Sequence, residues 1–318
     1  MIECRKILFL WALVVFLAGS FSLPWARAEE PTRVFVSIEP QRYFVESIGG
    51  SLVQVSVMVQ PGASPATYEP KPRQMADLSK ARIYFAIGVP FENTWLKKIA
   101  AANPQMWVVH TDQGIEKIPM AAYQHHDERE EHHGKGEDHK KGELEGYTGQ
   151  EWHHEHGILD PHIWLSPPLV KIQARTILNA FQQMDPSRRN AYEANYHQFV
   201  SRIDALDKEL KKTFAGKQGL QFMVFHPSWG YFAQAYGLRQ VPIEVEGKDP
   251  KPGQLKGLIE HAREKGIRVV FAQPQFSTKS ATLVAREIGG QVVFADPLAR
   301  DWVANLREVA EKFKAALR

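Results

Sequence analysis

Eight of the thirteen histidines in this 318-residue chain fall in one polar segment, 124–156: His125, His126, His132, His133, His139, His153, His154 and His156. Imidazole is the commonest metal-ligating side chain, and the segment has almost no apolar residues with which to build a core. Asp127, Glu128, Glu130, Glu131, Glu137 and Asp138 are interleaved with the histidines and add negative charge that attracts cations. A purely solvating insertion needs no histidine. The residue types therefore point to an accessory loop that collects metal, with an inert polar insertion as the alternative.

Three further groups could hold an ion more firmly. His162 sits in Leu159-Asp160-Pro161-His162-Ile163-Trp164-Leu165, where a proline and bulky apolar neighbours fix the backbone and shield the imidazole. His226 follows the apolar run 221–225, and Asp296 follows 292–295. Both are placed at the carboxyl ends of predicted strands, where open α/β sheets collect ligands, and are expected to face one crevice. Each has an ordinary structural reading: His226 before Pro227 as a satisfied core residue, Asp296 before Pro297 as a turn or helix cap. His110, ending another apolar run, reads as a fourth donor or a structural residue, and His197 and His261 read as surface or core positions on helices.

The elements that must position these groups follow from periodicity. Strands are predicted at 33–37, 53–59, 82–86, 106–109, 222–225, 239–241, 268–271 and 292–294, and helices at 41–48, 72–80, 91–101, 228–236, 252–265, 278–288 and 301–317. Such alternation implies an α/β fold of two parallel-sheet lobes. Glu46-Ser47-Ile48-Gly49-Gly50 echoes Arg286-Glu287-Ile288-Gly289-Gly290; each glycine pair is expected to end a helix and turn the chain into the sheet, as an internal repeat would. Between the lobes, Tyr192, Tyr196, Phe199, Ile203, Leu206, Leu210 and Phe214 recur in steps of three or four, with Asp185 as cap and Pro186 in the first turn. This predicts a long rigid helix over 186–214 joining an N-terminal lobe, 29–185, to a C-terminal lobe, 215–318. A core helix of one lobe is the plainer alternative.

Arg5 and Lys6 precede an apolar run too short to span a bilayer, and Ala26-Arg27-Ala28 supplies the small-x-small pattern of a signal-peptidase site. Residues 1–28 thus read as a cleavable signal peptide, with cleavage near Ala28 and a periplasmic mature chain. The single cysteine, Cys4, lies in that leader, which leaves nitrogen and oxygen as the metal donors. Removing Arg5, Lys6, Arg27 and Glu3 from the 39 basic and 36 acidic residues leaves 36 and 35, a net charge of +1. That near-neutral balance argues against nucleic acid as a partner.

Five ordered blocks carry a resemblance: 62–70 (GASPATYEP), 160–165 (DPHIWL), 225–232 (FHPSWGYF), 246–250 (EGKDP) and 294–298 (FADPL). Together they resemble the metal-binding solute receptors of ABC importers, the ZnuA/TroA type, over essentially the whole mature chain apart from the His-rich segment. The resemblance implies two α/β lobes joined by one long helix, an ion in the cleft between them, and His162, His226 and Asp296 as its ligands. It further implies a monomeric receptor that docks on an ABC permease and its ATPase in the inner membrane. Histidine at position 226, where manganese receptors commonly carry Glu, favours Zn2+ over Mn2+ or another divalent metal. One departure stands out. The family's first ligand is a histidine after the proline of the first block, and this chain has Ala66 there. Water or a histidine of the loop (His153, His154 or His156) is expected to take that place ahead of Thr67, Tyr68 or Glu69; loss of metal binding is the opposite expectation.

The expected function is therefore capture of Zn2+ and its delivery to the permease, with no catalytic residues. A zinc buffer without a transporter shares the same site. Two histidines, an aspartate and an open position also describe a hydrolytic zinc site, but the chain has no His-Glu-x-x-His, Gly-x-Ser-x-Gly or phosphate-cradling glycine motif.

Overall fold

β1 (Thr32–Val36), β2 (Val53–Val57), β3 (Ile83–Ala86) and β4 (Trp107–His110) make one four-stranded sheet in the order β2-β1-β3-β4. β5 (Gln221–Val224), β6 (Arg239–Pro242), β7 (Val269–Ala272) and β8 (Gln291–Phe294) make a second, in the order β6-β5-β7-β8. Every pairing is parallel. The computed structural model describes residues 30–121, 159–245 and 247–317, so the expected signal peptide 1–28 and the eight histidines of segment 124–156 lie outside the described residues.

Parallel strands covered on both faces read as continuous apolar runs, and all four residues of β3 (Ile83, Tyr84, Phe85, Ala86) are buried. The helices are α1 (Glu39–Gly49), α2 (Pro72–Leu78) and α3 (Pro90–Ala102) in the first lobe, and α6 (Gly230–Ala235), α7 (Pro252–Glu264), α8 (Lys279–Glu287) and α9 (Trp302–Ala316) in the second. These are the predicted elements with ends moved by no more than two residues. The predicted helices do not include α4 (Pro167–Met184), which buries Val170, Ala174, Ile177, Leu178 and Phe181. It opens on Pro167-Pro168; a proline there marks a helix start as readily as a loop, because the first turn has no amide bonds to lose.

The long helix is α5 (Arg189–Thr213), whose Tyr192, Tyr196, Phe199, Ile203, Leu206 and Leu210 are all buried. Its start differs from the expectation: Pro186–Arg188 form a separate 3-10 turn, and Asp185 makes no capping bond to either helix. At ~1.5 Å per residue, α5 is roughly 38 Å long, enough to run beside both sheets. Phe199 on α5 packs against Phe44 of α1, and Phe44 meets Trp302 of α9 edge-on at 5.2 Å. Trp302 Nε1 donates to the Trp164 carbonyl and Trp164 Nε1 donates to the Pro297 carbonyl, both at 2.7 Å. One continuous apolar core therefore runs through both lobes, with a smaller one around Ile243, Leu258 and Val284 on the far face of the second sheet.

The two sheets share one topology, β2 corresponding to β6 and β4 to β8. The glycine pairs do end helices, with Gly50 at φ 56° and Gly289 at φ 62°, in the left-handed region that favours glycine. They do not occupy equivalent places, however. Gly49-Gly50 leads to β2 at one sheet edge, whereas Gly289-Gly290 leads to β8 at the opposite edge of the other sheet. The echo is a shared helix-stop signal, and the repeat shows in the strand order instead.

Candidate metal centre

The second sheet reverses direction between β5 and β7, the place where such sheets open a crevice at their carboxyl ends. His226 emerges there, just past β5. Gln273, just past β7, grips its backbone from both sides: the His226 amide donates to Gln273 Oε1 at 3.2 Å, and Gln273 Nε2 donates to the His226 carbonyl at 2.6 Å. The imidazole stacks on Phe276, ring centroids 4.6 Å apart. Its Nδ1 lies 2.7 Å from Oε1 of Glu244, a buried carboxylate just past β6.

His162 is held from the other lobe by a similar device. Asp160 is fully buried, and its Oδ1 accepts from the His162 amide at 2.9 Å and faces His162 Nδ1 at 2.7 Å. The 3-10 turn Ile163–Leu165 then anchors the segment through Trp164. Burial lowers the His162 pKa below its ordinary value, outweighing the opposing pull of Asp160. The ring is therefore neutral, with Nδ1–H donating to Asp160 and the lone pair on Nε2.

The two rings lie 5.2 Å apart, inclined at 71°, and both line a cavity of about 710 Å³ between the lobes. Each has its Nδ1 occupied by a buried carboxylate, and among the described residues neither Nε2 has a hydrogen-bond partner. A carboxylate behind a ligating histidine fixes its tautomer and raises its basicity. The arrangement therefore suits two neutral imidazoles bound to one cation.

Asp296 stands apart from this pair. Its Oδ1 accepts from Gln275 Nε2 at 2.8 Å and from the Leu298 amide at 2.9 Å, and it lines a neighbouring pocket of about 260 Å³. The reason is the strand order. β7 lies between β5 and β8, so at roughly 4.8 Å per strand their ends are about 10 Å apart. The single crevice expected for His226 and Asp296 is two adjacent pockets that share Gln275 and Leu298. Among the described residues, no three His, Asp or Glu side chains come together as a ready coordination sphere.

A family model described as zinc-uptake complex component A, periplasmic (ZnuA), matches residues 34–316. The chain belongs to the ZnuA family. The high-affinity zinc uptake system protein ZnuA of Bacillus subtilis is 28% identical over 296 residues, spanning 88% of this chain and 86% of that protein. A solved structure of ZnuA is 43% identical with a TM-score of 0.78, covering 91% of this chain and all of that one. A ZnuA deletion mutant solved with zinc bound is 42% identical with a TM-score of 0.77, covering 90% and 98%. The ZnuA family consists of solute-binding proteins rather than enzymes, and the resemblance to binding proteins for zinc uptake extends over residues 34–316.

In this ZnuA-family chain Ala66 lines the cavity wall, where a methyl group is all it presents. Nor do its neighbours offer a ready donor: Tyr68 is buried with its hydroxyl donated to Gln74 Oε1 at 2.7 Å, and Thr67 and Glu69 do not line the cavity. His110 is half exposed, faces Asp112 at 3.7 Å and does not line the cavity. His197 is on the surface of α5, and His261 of α7 meets the Gln221 side chain at 2.7 Å. At the equivalent reversal of the first sheet, the buried Glu92 carboxylate accepts from the Ser37 hydroxyl and the Ile87 and Gly88 amides, and it does not line the cavity.

Sequence reasoning missed Asp160 and Glu244 as partners of the two histidines. Asp160 had a signal, since it lies two residues before His162. Glu244 had only its place after a strand; it meets His226 through the pairing of β5 with β6.

Proposed function

We propose that the chain captures a divalent transition metal, Zn2+ above all, in the periplasm and delivers it to an ABC-type membrane permease and its ATPase. The observation that carries this reading is the His162–His226 pair, with each Nδ1 backed by a buried carboxylate and both rings on one interlobe cavity. Two neutral imidazoles are borderline donors that suit zinc and do not suit calcium or magnesium. Asp296 is the third donor, reached when its carboxylate exchanges Gln275 for the ion; with one further ligand the sphere becomes tetrahedral. The relatives whose names specify zinc uptake support the choice of metal, and the family's description as part of an uptake complex supports a permease partner.

In this account the His-rich segment 124–156 binds zinc weakly and raises its concentration near the cavity. The stiff α5 and the interlobe bonds of Trp164 and Trp302 restrict the lobes to small rocking on loading. The receptor acts as a monomer. The test is zinc uptake at scarce zinc by cells carrying His226→Ala in place of the native chain. Uptake falls to the level of cells without the receptor; uptake unchanged from the native level would contradict the proposal.

A further inference from the structure

The cavity is far larger than an ion requires. A zinc ion with two waters fills on the order of 60 Å³, at roughly 30 Å³ per water, against a cavity of about 710 Å³. That volume falls in the range typical of small-molecule sites, about 300–1,000 Å³. Its wall is largely apolar, with Val89, Pro90, Met120, Trp164, Phe276 and Leu298 surrounding the imidazole pair. Water packed against such a wall gains few hydrogen bonds, whereas a compact organic ligand with an apolar body gains contact.

The coordination arithmetic agrees. Zinc takes four ligands and expands to five. His162 and His226 supply two, Asp296 is engaged by Gln275 and the Leu298 amide, and Ala66 supplies none. One position stays open to the cavity if Asp296 joins, and two if it does not. The charges agree as well: among the described residues the cavity wall has no Lys or Arg, and its one carboxylate, Glu244, is committed to the His226 Nδ1–H, as Asp160 is to that of His162. An anionic ligand by itself therefore finds no counter-charge, but with a dication it completes a near-neutral assembly.

Resting on the zinc-receptor reading above, we propose that the cargo is a zinc chelate. The ion is held by His162 and His226, while a small bidentate chelator of the amino- or hydroxy-carboxylate or diimine class fills the open positions and the apolar cavity. Alanine at position 66 is then the feature that admits the chelator, since a histidine there would occupy both the coordination position and the space.

The test is native mass spectrometry and equilibrium dialysis of the metal-free mature chain with zinc sulphate alone and with zinc plus L-histidine, citrate or 2,2′-bipyridine. At least one chelator forms a 1:1:1 complex with protein and zinc, is not retained without zinc, and loses at least tenfold in retention in Ala66→His, which still binds zinc alone. Zinc bound alone with no chelator of the three retained would overturn the chelate proposal and leave the zinc receptor standing, as would retention undiminished in Ala66→His. Failure to bind zinc under any of these conditions would overturn both.

Discussion

The imidazoles of His162 and His226 come from different lobes and lie 5.2 Å apart, and each donates Nδ1–H to a carboxylate of its own lobe, Asp160 and Glu244 respectively. The site is built as two matched half-sites, so each half can be weakened independently.

Removing either carboxylate frees a ring to turn and lowers its basicity. Asp160→Ala and Glu244→Ala are each expected to reduce zinc affinity by roughly 10- to 100-fold, the usual effect of losing such a partner. Zinc titration by calorimetry measures the loss, and circular dichroism of the metal-free variants shows whether the fold is retained.

Acidity acts on the metal-free protein through the same ring. Burial holds the His162 pKa below its ordinary value of 6.5. As pH falls below 6.5, the unfolded chain takes up a proton at this position that the folded chain does not, so stability drops until the folded pKa is passed. Urea unfolding of metal-free protein at pH 7.5 and 5.5 is expected to show a smaller acid loss for His162→Gln than for the native chain. Equal losses would mean that the ring carries no such linkage.

The lobe junction rests on two indole bonds. Trp302→Phe leaves the buried Trp164 carbonyl without its donor, at a cost of about 1–3 kcal/mol. Thermal unfolding of the metal-free variant measures it. Both wings of the cavity depend on this junction, so looser zinc binding should accompany the lower stability.

Deleting 125–156 is expected to lower the number of zinc ions bound per chain without removing the tightest one. Calorimetric stoichiometry decides this; loss of the tight site on deletion would make the segment a structural part of that site.

The sheets were legible because parallel strands covered on both faces must be apolar throughout, as in Ile83–Ala86, and because α5 repeats its apolar residues so regularly. His162 and His226 could be proposed since a proline-fixed loop and a strand end are places where sequence implies position. Glu244 could not, because its relation to His226 exists only once β5 and β6 pair. Nor could the separation of Asp296, which depends on β7 lying between β5 and β8. Strand order arises from long-range pairing, and local periodicity carries no record of it. Helix α4 shows the opposite failure: its apolar spacing was present, but Pro167-Pro168 masked its start.

The central claim is that His162 and His226 hold the same zinc ion. Calorimetric zinc titration of the native chain, His162→Ala, His226→Ala and the double variant tests it most directly. Each single variant is predicted to lose the tight site, and the double variant to lose little more, because one ion cannot be lost twice. Tight binding retained in either single variant, or two independent losses that add in the double variant, would contradict it.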